Sequence, residues 1–182
     1  MVEPAPRLLQ RLRPKCLERT NSALIVAAGV AAYHDTKFRE LAPFDDVYPL
    51  FSDLRRIGMR LGIITHGWTV KQAEKLVRLG LVPYLDSRAI FISDQIGISK
   101  PNPKLYLTAV RDLGLEPGAV MYVGDSPDHD IAPPRSIGMV TVWAKRAAKH
   151  APSRPEAQPH HVIANFDELR RILREQYELP LP

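Results

Sequence analysis

Residues 121–131 read MYVGDSPDHDI, and the fold follows from them. The apolar run 119–123 ends at Gly124 and drops directly into Asp125, with further acids at Asp128 and Asp130. Carboxylates at the carboxyl end of a buried strand are where open α/β sheets place their ligands. Crowded acids repel one another, so such a loop calls for a cation or for shared protons. A magnesium site is the first expectation.

On either side of this stretch, strand-like and helix-like segments alternate. Upstream, residues 61–65 (LGIIT) and 89–93 (AIFIS) are short apolar runs suited to buried strands. Residues 69–72, Thr-Val-Lys-Gln, have the spacing of a capping box and open a helix that Gly80 closes. Asn102-Pro103 sets a cap residue before a first-turn proline, and Gly114 ends that helix. Downstream come a short helix after Asp130, a strand over 139–143, a basic proline-bearing loop over 145–159, a strand over 161–163 and a terminal helix capped by Asn165. Units of this length imply a doubly wound α/β domain with a parallel sheet covered on both faces.

The first part of the chain differs. Residues 1–19 are basic and proline-punctuated, and 23–40 read as an alanine-rich helix capped by Asn21 or Ser22. An amphipathic helix follows over 45–57, with Val47, Leu50, Phe51, Leu54 and Ile57 on one face and Gly58 as its stop. A helical segment, 1–42, is therefore expected ahead of an α/β core, 43–182.

With 182 residues, 45% hydrophobic and 25% charged, the chain suits a soluble globular domain. The net charge of +5 fits an anionic partner but does not specify one. The single cysteine, Cys16, excludes an internal disulfide framework, and a reducing, cytoplasmic setting is expected. The longest apolar stretch, 23–32, is too short to cross a bilayer, so no membrane role is expected. The basic residues Lys145, Arg146, Lys149, His150 and Arg154 lack interleaved aromatics and read as a solvated loop rather than a nucleic-acid surface.

Three loops follow predicted strands: Thr65-His66-Gly67, Ser99-Lys100-Pro101-Asn102-Pro103, and 124–130. In a parallel sheet these ends emerge on one edge, so a hydroxyl, an ammonium and several carboxylates converge there. Such a set handles a phosphoryl group. Thr65 and nearby backbone N–H groups would hold its oxygens, Lys100 would offset its charge, and Asp125 would hold Mg²⁺.

Taken together, GIITHG (62–67), GISKPNPKLY (97–106) and VGDSPDHDI (123–131) resemble the second, third and fourth signature motifs of the haloacid dehalogenase-like hydrolases. AAYHDTKFRELAPF (31–44) resembles the end of the helical cap in the subfamily with an α-helical cap. The resemblance implies a magnesium-dependent phosphatase of a small phosphorylated metabolite. Thr65 and Lys100 would be catalytic contacts, with His66 and Gly67 beside them on the substrate. Asp125 would be a metal ligand, and Asp130 would support the metal's water shell or Lys100. A dehalogenase-type hydrolase and a non-catalytic binding protein on the same scaffold are the alternatives. A phosphoacceptor receiver domain is rejected, because receivers bring their acids first and their lysine last.

One departure stands out. The family's nucleophile sits in an Asp-x-Asp motif at the end of a first strand, and residues 1–40 contain none. Asp35, in Tyr33-His34-Asp35-Thr36, is the only aspartate there and reads as a helix-surface residue. Loss of a mid-sheet strand leaves two buried edges unpaired, and such edges must be filled. The fillers the sequence allows are residues 24–28 as a strand, rearranged pairing, or a partner's segment in a homodimer. A start codon assigned downstream of the native one would account for the sequence equally well.

Overall fold

The computed structural model describes residues 22–39 and 41–182. These fall into two compact units that divide between Ala42 and Pro43. The first contains helix α1, Ser22–Arg39. Its Leu24, Ile25, Val26, Val30 and Tyr33 are exposed, as is Asp35. Residues 24–28 therefore belong to a helix, which corrects their candidacy as a replacement strand. Residues 1–19 and the Asn21 cap lie outside the described residues.

The second unit alternates helices and parallel strands. In order these are α2 (Val47–Arg56), β1 (Ile63–Thr65), α3 (Thr69–Arg78), β2 (Ile90–Ile92), a single turn α4 (Ser93–Ile96) and α5 (Pro103–Asp112). Then follow β3 (Met121–Gly124), a wide turn over Pro127–Ile131, α6 (Ala132–Ser136), β4 (Val140–Ala144), β5 (His161–Ile163) and α7 (Phe166–Gln176). The two prolines of α6, Pro133 and Pro134, occupy its first turn, where no intrahelical N–H is needed.

Layering follows from side-chain alternation. Met121 and Val123 of β3 pack toward Leu50 and Leu54 of α2 and Leu169, Ile172 and Leu173 of α7. Tyr122 and Val120 face the other way, onto Leu105, Tyr106 and Val110 of α5. In β1, Ile63 packs with the α2 side and Ile64 with the α5 side. Helices thus cover both faces, as a doubly wound sheet requires.

The sheet is divided in two. β1 pairs in parallel with β2, and β3–β4–β5 form a separate parallel group. Among the described residues nothing pairs with the free edges of β1 and β3. The bond from Val140 N to Val120 O fixes which residues of β3 face β4. Alternation then directs the backbone groups of Met121 and Val123 to the free edge. Among the described residues, rearranged pairing has not closed the gap.

Local signals set the helix ends that matter for the site. Asn102 accepts a hydrogen bond from Lys104 N at 3.0 Å and Pro103 occupies the first helical position, as the sequence predicts. Asn102→Ala is expected to cost about 1 kcal/mol, read as a lower midpoint in thermal unfolding. The capping box at 69–72 does not form. Trp68 is the cap residue without a side-chain bond, and Thr69 and Gln72 are used elsewhere.

Candidate active site

The carboxyl ends of β1, β2 and β3 lie on one edge of the domain, and the loops leaving them are tied to one another. Thr65 ends β1 and donates its hydroxyl to Gln72 Oε1 at 3.1 Å. Lys75 Nζ donates to the same oxygen at 3.3 Å. Gly67 has φ +132°, and a Cβ built there would lie 2.5 Å from Gln72 Nε2. The bare Cα is what lets the Gln72 amide lie across the loop and reach Thr65.

The β2 end fastens the rest of this loop. Ser93 is buried, and its Oγ accepts from Gly67 N at 3.1 Å and lies 3.2 Å from His66 Nδ1. The Asp94 carboxylate accepts from Thr69 N at 2.9 Å and from its hydroxyl at 2.8 Å. Those two donors hold Asp94 below the usual carboxylate range. His66 and Gly67, expected at the substrate, are thus oriented through Ser93, with the His66 side chain exposed.

Lys100 and Asp130 form the buried centre. Lys100 Nζ donates to Asp130 Oδ1 at 2.6 Å, with side chains 14% and 7% exposed. It also donates to Tyr122 OH at 2.7 Å. The other carboxylate oxygen of Asp130 accepts from Ser126 N at 3.1 Å, and Asp130 N donates back to Ser126 O at 2.6 Å. Burial, then the charge of Asp130, push the Tyr122 hydroxyl far above its ordinary value, so it stays protonated. That hydroxyl lies 3.3 Å from Ile64 O and 3.4 Å from Asp130 Oδ1, linking the end of β1 to β3.

Asp125 is exposed beside this pair. Partial burial, followed by the charge of Asp130, raises its carboxyl above the usual range. Its backbone carbonyl accepts from Trp143 Nε1 at 3.0 Å, which anchors the loop to β4. The structure therefore brings Thr65, Lys100, Asp125 and Asp130 to one end of the sheet.

Among the described residues no cluster of three or more His, Cys, Asp or Glu side chains could hold a metal ion. Magnesium does not require one, since it keeps several waters and takes one or two carboxylates plus substrate phosphate. Asp125, raised by partial burial and then by the charge of Asp130, still reaches solvent and fits that role. Both oxygens of Asp130 are already hydrogen-bonded within the protein, so its fit is to Lys100 and to the shell behind the ion.

A cavity of about 350 Å³ opens next to Asp125, between Phe44, Val47, Val123 and Phe166, with Arg146 in its wall. Arg146 is not part of a freely solvated loop. It donates to Asp46 at 2.6 Å and lies 3.9 Å from the Phe44 ring centroid and 5.0 Å from that of Phe166. Burial alone would raise Asp46, but Arg146 and the Phe166 N–H hold it below its ordinary value. Arg154 pairs with exposed Asp128. The backbone carbonyl of His129 accepts a hydrogen bond from Tyr106 OH.

Reading the sequence missed the roles of Ser93, Asp94, Gln72 and Tyr122. The first two were accessible. Ser93-Asp94 follows a predicted strand just as Thr65-His66 does, and the strand-end rule applies equally to both. The others act across the fold and leave no local signature.

The haloacid dehalogenase-like hydrolase family profile matches residues 8–144. A glyceraldehyde 3-phosphate phosphatase of Methanopyrus kandleri is 43% identical over 153 residues, covering 83% of this chain and 65% of the relative. The enzyme of the same name from Methanocaldococcus jannaschii is 32% identical, over 82% of this chain and 64% of the relative. Among solved structures, a HAD phosphatase from Thermococcus onnurineus superposes with a TM-score of 0.64 at 35% identity, over 71% of this chain and 57% of that one. The chain thus spans less than two thirds of the length of these relatives. It belongs to the haloacid dehalogenase-like hydrolases.

Proposed function

We propose that this member of the haloacid dehalogenase-like hydrolases carries the phosphoryl- and magnesium-binding machinery of a phosphatase for a small phosphorylated metabolite. The observation that carries the reading is the buried Lys100–Asp130 pair, which fixes one ammonium beside exposed Asp125 at the strand ends. The relatives named glyceraldehyde 3-phosphate phosphatase make that compound the first substrate to test.

Each residue has a physical task. Lys100 offsets the charge of the phosphoryl oxygens, and the Thr65 hydroxyl takes one of them on leaving Gln72. The loop over 65–67 orients this end through Ser93. Asp125 would hold Mg²⁺, which supplies charge neutralisation at the phosphoryl group. Asp130 holds Lys100 in place.

No residue of this chain is assigned the attack on phosphorus. Residues 1–60 contain Asp35, Asp45, Asp46 and Asp53, none in an Asp-x-Asp. Asp46 is held by Arg146, and Asp53 pairs with Arg170 and Arg56. The same observation supports a second reading, a binding protein on this scaffold.

Binding tests what both readings share. Calorimetric titration of orthophosphate is expected to show saturable binding in the presence of Mg²⁺. Lys100→Ala and Asp125→Ala should each weaken it about tenfold or more, the loss expected for one charge-assisted contact. Absence of binding by the unaltered chain would refute the proposal.

A further inference from the structure

We infer that Tyr122 is a positioning residue that aims the Lys100 ammonium at the phosphoryl site, an inference that rests on the phosphoryl-binding reading above. An ammonium has three donors on a flexible four-carbon stem, so one acceptor alone leaves it free to swing. Here two of the donors are committed, to Asp130 Oδ1 at 2.6 Å and to Tyr122 OH at 2.7 Å. With both directions fixed, tetrahedral geometry fixes the third. Among the described residues no acceptor is assigned to it.

Tyr122 is suited to this task in a way that Asp130 is not. It lies on β3 with its backbone paired to β4, so its ring leaves a rigid element. The ring is packed edge-on against Tyr106, with centroids 5.0 Å apart. Its hydroxyl also lies 3.3 Å from Ile64 O, so Lys100 and the backbone near the end of β1 share one contact. A phenol is a neutral acceptor. It directs the ammonium without neutralising it, and leaves its charge for the ligand. A second carboxylate at this position would direct it equally well but cancel the attraction for phosphate.

Tyr122→Phe removes the hydroxyl and keeps the packed ring. The first readout is the NMR signal of the Lys100 Hε protons in the unliganded protein. In the unaltered chain the two are expected to be distinct, as for a side chain held in one rotamer, and in Tyr122→Phe they should merge. Unchanged splitting would overturn the inference. The second readout is orthophosphate affinity with Mg²⁺ in a double-mutant cycle. Tyr122→Phe should weaken binding about fivefold to tenfold alone, and by less than about twofold in a Lys100→Met background. Equal weakening in both backgrounds would show that Tyr122 acts other than through Lys100, and would overturn it. If the unaltered chain binds no phosphate, the phosphoryl reading fails, and the Lys100 signals still decide whether Tyr122 holds the lysine.

Discussion

Asp130→Leu is expected to cost roughly 3–5 kcal/mol of folding free energy and to abolish phosphate binding. The substitution leaves Lys100 as a largely buried cation whose nearest counter-charge is gone. It also leaves the Ser126 N–H without its carboxylate acceptor. Breaking one side of a buried pair strands the other charge, whereas replacing both sides is often near neutral. The double variant Asp130→Leu with Lys100→Met should therefore recover most of the lost stability while binding no phosphate. Chemical denaturation of the two variants, with phosphate titration in parallel, separates the structural role of the pair from its role in binding. Similar stability losses in both variants would contradict the account.

The second large effect is expected at Gly124, the residue that closes β3. A Cβ built there would lie 2.3 Å from Asp130 Cβ and 2.6 Å from its Cγ. Both are far inside van der Waals contact, and the obstruction is a buried side chain pinned at both oxygens. It cannot swing aside as an exposed side chain could. Either the turn over Pro127–Ile131 moves or the strand end does, and each displaces Asp130 from Lys100. Gly124→Ala should cost roughly 1–3 kcal/mol, and its loss of phosphate affinity should match that of Lys100→Ala. Retained affinity in a destabilised protein would mean that the lysine tolerates displacement of its partner. By comparison Gly97→Ala, with nothing within 4 Å of its Cβ but φ +73°, carries only a backbone cost of about 1 kcal/mol.

Much of this site was legible in the sequence, for identifiable reasons. Asp125 and Asp130 follow an apolar run into a Gly-Asp turn, and Asn102-Pro103 announces the helix behind Lys100. These are local signals, and local geometry honours them. Thr69 and Gln72 show the limit. Their spacing reads as a capping box, yet Asp94, at the end of β2, and Thr65, at the end of β1, compete for the same groups and win. Arg146 reads as solvated because its partners, Asp46 and the Phe44 and Phe166 rings, are remote in the chain. Tyr122 reads as an ordinary strand residue until β3 places its hydroxyl on Lys100.

The free edges of β1 and β3 are the feature in which sequence and structure agree most usefully. The motifs imply a strand between them, residues 24–28 are helical, and nothing among the described residues occupies the position. The proposed phosphoryl-binding groups thus flank this open position.

The most direct measurement of this account is Mg²⁺-dependent hydrolysis of an aryl phosphate by two proteins, this chain and the same chain preceded by an apolar strand ending in Asp-x-Asp. No turnover above background is expected for the first. For the second, turnover is expected that requires Mg²⁺ and is lost in Asp125→Ala and Lys100→Ala. Turnover by the unaltered chain that survives both substitutions would contradict it.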